Sequence, residues 1–217
     1  RLLAVVDGVV VELYRPPTEN WQLESCGRYA LLDDGVIEYT FECIPRDDSF
    51  SRDFLGLFWA SYIHAPEDRA IYFRGIPRSG SEAPAWIQAV TPRHGVDSTH
   101  PPLAFAQLPA VDEEFPLTLV NHPSKFVYDE PWYYGVSHSM AYVQMFRARD
   151  RIWFAQSPTG GGARNPAWDF QWFVPDVAVG QAYGFQMRAA YLPFTGRDDL
   201  VEATRKHREW LNRSNQQ

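Results

Sequence analysis

Cysteine and lysine are both scarce in this 217-residue chain, and no long apolar run interrupts it. Two cysteines, Cys26 and Cys43, cannot form a disulfide scaffold, so a hydrophobic core has to hold the fold, and the chain is long enough to bury one. No stretch approaches the roughly 20 apolar residues of a membrane-spanning helix. Of twenty basic residues only Lys125 and Lys206 are lysine, leaving eighteen arginines against twenty-seven acidic residues. A formal net charge of −7 argues against nucleic acid or an anionic membrane surface as a partner. Catalytic signatures are missing as well. Gly160-Gly161-Gly162 lacks the Lys-Ser/Thr of a phosphate-binding loop, there is no Gly-x-Ser-x-Gly elbow, and no dinucleotide fingerprint occurs. No cofactor is indicated.

Aromatic residues are abundant: fourteen Phe, eleven Tyr and eight Trp. They lie in short alternating runs separated by Gly, Pro, Asn and Asp, the pattern of antiparallel strands and turns. Leu2 to Tyr14 reads as a hairpin about Asp7-Gly8. Further strands are expected at Gly56–Ile63, Arg69–Arg74, Trp86–Val90, Pro131–Arg147, Arg151–Gln156, Ala167–Val174 and Gln181–Leu192. The segment from Leu103 to Val127 is broken into short apolar pieces that favour no single element. One helix is expected near the end, over 197–212, with Asp198 and Asp199 in its first turn and basic residues towards its close, as the helix dipole prefers. About a dozen strands and one helix predict an all-β fold: a single large antiparallel sandwich, of supersandwich or jelly-roll type, spanning residues 1–217.

A second hairpin bears on the cysteines. With Asp34-Gly35 as a two-residue turn, Asp33 pairs with Val36 and Cys26 comes to lie opposite Cys43. A disulfide between them fits this register, and so does a pair of reduced core thiols. The bridge would imply an extracellular or periplasmic compartment; without it the compartment is unknown.

Residues able to carry chemistry concentrate in two loops and the strands beside them. The polar loop from Thr91 to Pro102 contains His94 and His100, and His138 begins a strand with Met140, Tyr142 and Gln144 on its face. These three histidines are the candidate acids and bases. Strand alternation after the glycine-rich loop gives Trp168, Phe170 and Trp172 to one face and projects Asp169 and Gln171 from the other. With Arg164 and Asn165 in the loop, Arg74, and Glu130 beside Trp132-Tyr133-Tyr134, they form the candidate ligand-binding set. Asn165 and Asp169 fit a second role, fixing the loop's own backbone. The histidine spacing matches no strong metal signature.

Strand-dense organisation, many Trp and Tyr residues, and His, Arg, Asn and Gln placed on loops over sheets resemble the sandwich and supersandwich proteins of carbohydrate metabolism, galactose-mutarotase-like domains and polysaccharide lyases among them. The resemblance is one of texture and carries no catalytic residue over. It implies a saccharide or other small-molecule ligand, and acid/base chemistry of lyase, hydrolase or epimerase type. Two other readings stand beside it: a non-catalytic glycan- or protein-binding sandwich, and a cupin-like metal-dependent enzyme built on the histidines.

Overall fold

The computed structural model describes residues 2–5, 8–48, 54–80, 82–105, 122–160 and 162–213. Within them the chain forms two antiparallel sheets and one α-helix. The strands are β1 (Leu2–Val5), β2 (Val10–Arg15), β3 (Leu23–Leu31), β4 (Ile37–Pro45), β5 (Phe54–Trp59), β6 (Ile71–Pro77), β7 (Ala85–Ala89), β8 (Thr99–His100), β9 (Phe126–Ser137), β10 (Met140–Phe146), β11 (Trp153–Ser157), β12 (Ala167–Pro175) and β13 (Tyr183–Pro193). The helix α1 spans Arg197–Arg213. Nine strands make the large sheet, in the order β1-β2-β3-β4-β13-β10-β9-β6-β7, and four make the small one, β5-β12-β11-β8.

The layers follow from alternation. Odd-numbered residues of β4 and β13, together with Phe73, Tyr133 and Phe146, face the small sheet and meet Leu55, Phe154, Trp168, Phe170 and Trp172 in one aromatic core. Rings there stack or meet edge to face, as Trp59 does with Phe170 (5.7 Å between centroids) and Phe146 with Phe170 (5.0 Å). The opposite side of the large sheet carries Trp132, Tyr134, Ala141, Val143, Met145 and Ala190, and Leu200 and Leu211 of α1 cover it. The order is therefore small sheet, large sheet, helix. One glycine is dictated by this packing: a Cβ on Gly135 would stand 2.5 Å from the Trp168 ring.

The sandwich expected from the sequence is present, with the C-terminal helix in place. One local expectation is corrected. The turn between β3 and β4 holds three residues, Asp33-Asp34-Gly35, because Leu32 and Val36 pair through their backbones and Gly35 adopts φ +79°. One extra loop residue slips the register by one, so Cys26 pairs with Glu42 and Ser25 with Cys43. The two cysteines then project to opposite faces and both are free thiols, which removes the disulfide argument for an oxidising compartment. β5 and β6 lie in different sheets, so the connection through His64–Asp68 crosses from one layer to the other. The Asp7 half of the first turn, residues 106–121 of the broken apolar segment and Gly161 lie outside the described residues.

Candidate functional site

Where the two sheets part, the large sheet presents Tyr142 of β10 beside Tyr191 of β13, directly paired across the ladder. The small sheet ends there too. Beyond β5 the chain continues through Ser61 and Tyr62, which bridges to Ala167 at the start of β12. Between these edges lies an open groove of about 350 Å³ lined by Tyr62, Ile63, His64, Ser137, His138, Tyr142, Trp168 and Tyr191. Tyr62 and Tyr191 are 61% and 56% exposed, unusual for rings in a protein that buries most of its aromatic residues.

Hydrogen bonds fix the floor. The Nε2 of Gln144 donates to the Tyr142 hydroxyl (2.8 Å) and to Ser61 Oγ (3.1 Å), and the two hydroxyls lie 3.2 Å apart. The Ser61 backbone N–H donates to Asp169 Oδ1 at 2.7 Å. Burial pushes the Asp169 carboxyl up to about 7, with the Ser61 N–H offsetting part of the rise. Burial likewise raises the Tyr142 hydroxyl, and its bonds to Ser61 and Gln144 act against that. From behind, Tyr133 donates its hydroxyl to the carbonyls of Trp168 (3.0 Å) and Asp169 (2.9 Å), which ties the floor to the core.

The rim is a strained turn. Ser137 pairs with Met140, so His138 and Ser139 are the two central residues of the β9–β10 hairpin, with φ of +52° and +61°. Such a turn prefers Asn and Gly, and a non-glycine residue held there costs roughly 1–3 kcal/mol. It is held by Glu67, whose carboxylate accepts the His138 backbone N–H at 2.9 Å, and by the Ser139 carbonyl accepting from Phe194 N. The His138 ring, exposed over the groove, has its Nδ1 2.8 Å from Ser137 Oγ.

The glycine-rich loop closes one side. Gly160 sits where a Cβ would be 2.7 Å from Ala167 and 2.8 Å from the Tyr62 ring, so the chain passes tightly beneath that ring. Far from being free, the loop is pinned on both flanks: Asn165 Oδ1 accepts the Ala65 N–H, and Thr159 Oγ1 lies 2.6 Å from His94 Nε2.

The sequence-nominated residues thus divide into three places. His138 lines the groove, Asp169 lies behind it, and Asn165 and exposed Arg164 belong to the adjoining loop. His94 reaches that loop from its other flank, with Nδ1 3.2 Å from Ser157 Oγ, while Gln171 projects from the small sheet away from the core. His100 is only 1% exposed: its Nε2–H donates to Gln156 Oε1 (3.0 Å), its Nδ1 lies 2.7 Å from Ser124 Oγ, and burial pushes its pKa down to about 4. Arg74 and Glu130 sit apart, on the helix side of the large sheet. There a shift of register between β6 and β9 brings Arg74 to 3.4 Å from Glu130 and 3.5 Å from Asp129. Among the described residues no group of three or more His, Cys, Asp or Glu side chains could hold a metal ion. Tyr62, Tyr191 and Ser61 went unrecognised in the sequence, since their role depends on which strand ends meet.

No family model matches the chain, and no curated protein matches it. Among solved structures it is similar to a candidate aldose 1-epimerase from Escherichia coli K12, at 11% identity and a TM-score of 0.45, over 88% of this chain and 68% of that one.

Proposed function

We propose that the groove between the sheet ends binds a saccharide. The observation that carries this reading is the pair of exposed rings, Tyr62 and Tyr191, on a groove whose remaining surface mixes rings (Tyr142, Trp168) with polar tips (His64, Ser137, His138). A sugar ring offers an apolar face to stack on tyrosine and hydroxyls around its edge, and a concave site with a few fixed polar groups suits it. Among the described residues no Arg or Lys lines the groove, so a neutral sugar fits better than an acidic one.

Among the described residues no Asp or Glu lines it either, so hydrolysis by a carboxylate pair has no support there. Any proton transfer to a bound sugar falls to the imidazoles of His64 and His138 and the hydroxyl of Tyr142. Binding is the core of the proposal, and epimerase- or lyase-type turnover is its extension through those three groups. Titration with a panel of neutral mono- and disaccharides, followed by tryptophan fluorescence and histidine NMR signals, tests it. Tyr191→Ala and Tyr62→Ala should each weaken binding about tenfold or more, while Trp210→Ala on α1 leaves it unchanged. Silence across the whole panel would sink the proposal.

A further inference from the structure

Three polar side chains on the groove floor close into a triangle whose protons can be counted. Gln144 Nε2 donates to the Tyr142 hydroxyl at 2.8 Å and to Ser61 Oγ at 3.1 Å, which occupies both of its hydrogens, and the two hydroxyls lie 3.2 Å apart. Each hydroxyl brings one proton. Only one of the two protons can lie between the oxygens, and among the described residues neither hydroxyl has a further acceptor. One donor is left over.

The orientation of Gln144 is set by its surroundings. The Trp168 carbonyl lies 3.5 Å from Nε2, so turning the amide over would set Oε1 against another acceptor. That orientation has a visible cost, because Gln144 is 0% exposed and its Oε1 has no partner. Leucine would fill the volume without stranding a polar atom. What the carboxamide secures is a pair of N–H groups aimed at the two hydroxyls.

Of the two hydroxyls, Tyr142 is the one whose residue lines the groove. A phenol is also the stronger acid, and accepting from Gln144 and Ser61 together fills both lone pairs of its oxygen and strengthens its O–H as a donor. Ser61 then donates to Tyr142, and the proton left over is the phenol's.

We propose that the Tyr142 hydroxyl is the specificity-determining donor of the groove, directed at a ligand oxygen that carries no proton of its own, such as a pyranose ring oxygen, with Ser61 and Gln144 as its positioning residues. Because the phenol oxygen has no lone pair to spare, an ether oxygen meets it with nothing stranded, whereas a ligand hydroxyl finds there no acceptor for its own proton. Identifying that ether as a sugar's ring oxygen rests on reading the groove as a saccharide site; the direction of the hydroxyl bonds does not.

The test uses the whole chain carrying fluorotyrosine, whose phenol titrates closer to neutrality, with the Tyr142 fluorine signal assigned by its loss in Tyr142→Phe. Without ligand, Ser61→Ala and Gln144→Leu should each raise the titration midpoint of that signal, since both partners donate to the phenol oxygen and favour its ionised form. Ser61→Thr keeps the hydroxyl and should leave the midpoint in place. A midpoint that stays or falls in Ser61→Ala or Gln144→Leu would mean that Tyr142 does not accept from that partner and would overturn the proposal. Tetrahydropyran, a ring oxygen without hydroxyls, and cyclohexanol, a hydroxyl without a ring oxygen, are then titrated against the same signal. Tetrahydropyran should bind about fivefold more tightly, the worth of one hydrogen bond, and lose that advantage in Tyr142→Phe, followed by tryptophan fluorescence. Equal binding, a preference for cyclohexanol or silence with both would also overturn it. A tetrahydropyran response beside silence from every neutral sugar would instead retire the saccharide reading and leave the donor assignment standing. Should Ser61→Ala or Gln144→Leu prevent folding, the other carries the same comparison.

Discussion

Two buried polar regions lie on opposite sides of the molecule and are satisfied to very different degrees. Under α1, Arg188 donates through Nε and Nη2 to one oxygen of Glu38 (2.9 and 2.7 Å), points Nη1 at His207 Nδ1 (3.0 Å) and lies 3.8 Å over the Trp210 ring. His207 in turn faces Asp34 through Nε2 at 3.0 Å, and Lys206 reaches the same carboxylate at 2.6 Å. Those ion pairs hold Asp34 down at about 2. On the far face of the small sheet, by contrast, Asp169 accepts one backbone N–H while Gln171 and Thr99 hold unpaired atoms. Burial alone therefore does not mark a functional site. A closed network of partners is what a helix needs to dock on a sheet, and the outer face of the small sheet has none of that kind among the described residues.

The difference predicts opposite responses to losing a polar group. The largest effect is expected under the helix. Arg188→Ala strips Glu38 of its partner, leaves His207 Nδ1 unpaired and removes the stacking on Trp210, and should cost about 3–5 kcal/mol in urea unfolding. A loss below about 1 kcal/mol would erase the contrast, because the helix-side network would then be no more structural than the small sheet's polar face.

Next in size comes Asp169, where the sign reverses. Its folded pKa, about 7, lies above its ordinary 3.8. Between those values the folded protein holds a proton that the unfolded chain has released, so stability contributed by this group is complete below pH 4 and declines as pH rises to about 7. Asp169→Asn keeps an oxygen for the Ser61 N–H and removes the charge. It should match the wild type near pH 4 and exceed it at pH 8 by on the order of 2–4 kcal/mol. Parallel stability curves for the two proteins across that range would show that Asp169 is not held near neutrality.

How far these regions could be read from the sequence differs in the same way. Alternation in Trp168–Phe173 was enough to separate Asp169 and Gln171 from the core rings, because a strand's period of two survives in any sheet. The last helix was legible from its charges. The β9–β10 turn was not, since His138-Ser139 carries neither Asn nor Gly at positions that normally require them, and His138 was read as a strand start. His100, expected in a loop, is enclosed by Ser124 and Gln156, residues 24 and 56 positions away. Arg74 and Glu130 were grouped with the ligand-binding residues because nothing local shows that their strands turn this face towards α1, where Arg208 stands 3.4 Å from Glu130 and over the Trp132 ring. The groove itself arises where β5, β10, β12 and β13 end together, and that coincidence is a property of topology.

A smaller effect sharpens the contrast from the unpaired side. Gln171→Leu removes two orphaned atoms at nearly constant volume, so it should leave stability unchanged or raise it by up to about 1 kcal/mol. A clear destabilisation would mean that the carboxamide has structural partners after all, and the small sheet's face would then resemble the helix side.

The smallest effect isolates burial from charge pairing. Arg205 of α1 makes two ion pairs against the single one of Arg188, with Glu202 at 3.0 Å and Glu209 at 3.1 Å, but its side chain and both partners are open to solvent. Water and salt screen such pairs, and the long side chains lose freedom in forming them, which leaves little net gain. Arg205→Ala should not shift the urea midpoint measurably, at low or high salt, although it deletes two ion pairs from the same helix whose docking Arg188 secures. If it destabilises as Arg188→Ala does, helix-side stability comes from the number of pairs. If it does not, the enclosed geometry around Arg188, with each guanidinium nitrogen partnered and an indole beneath the guanidinium, sets the stability of that face.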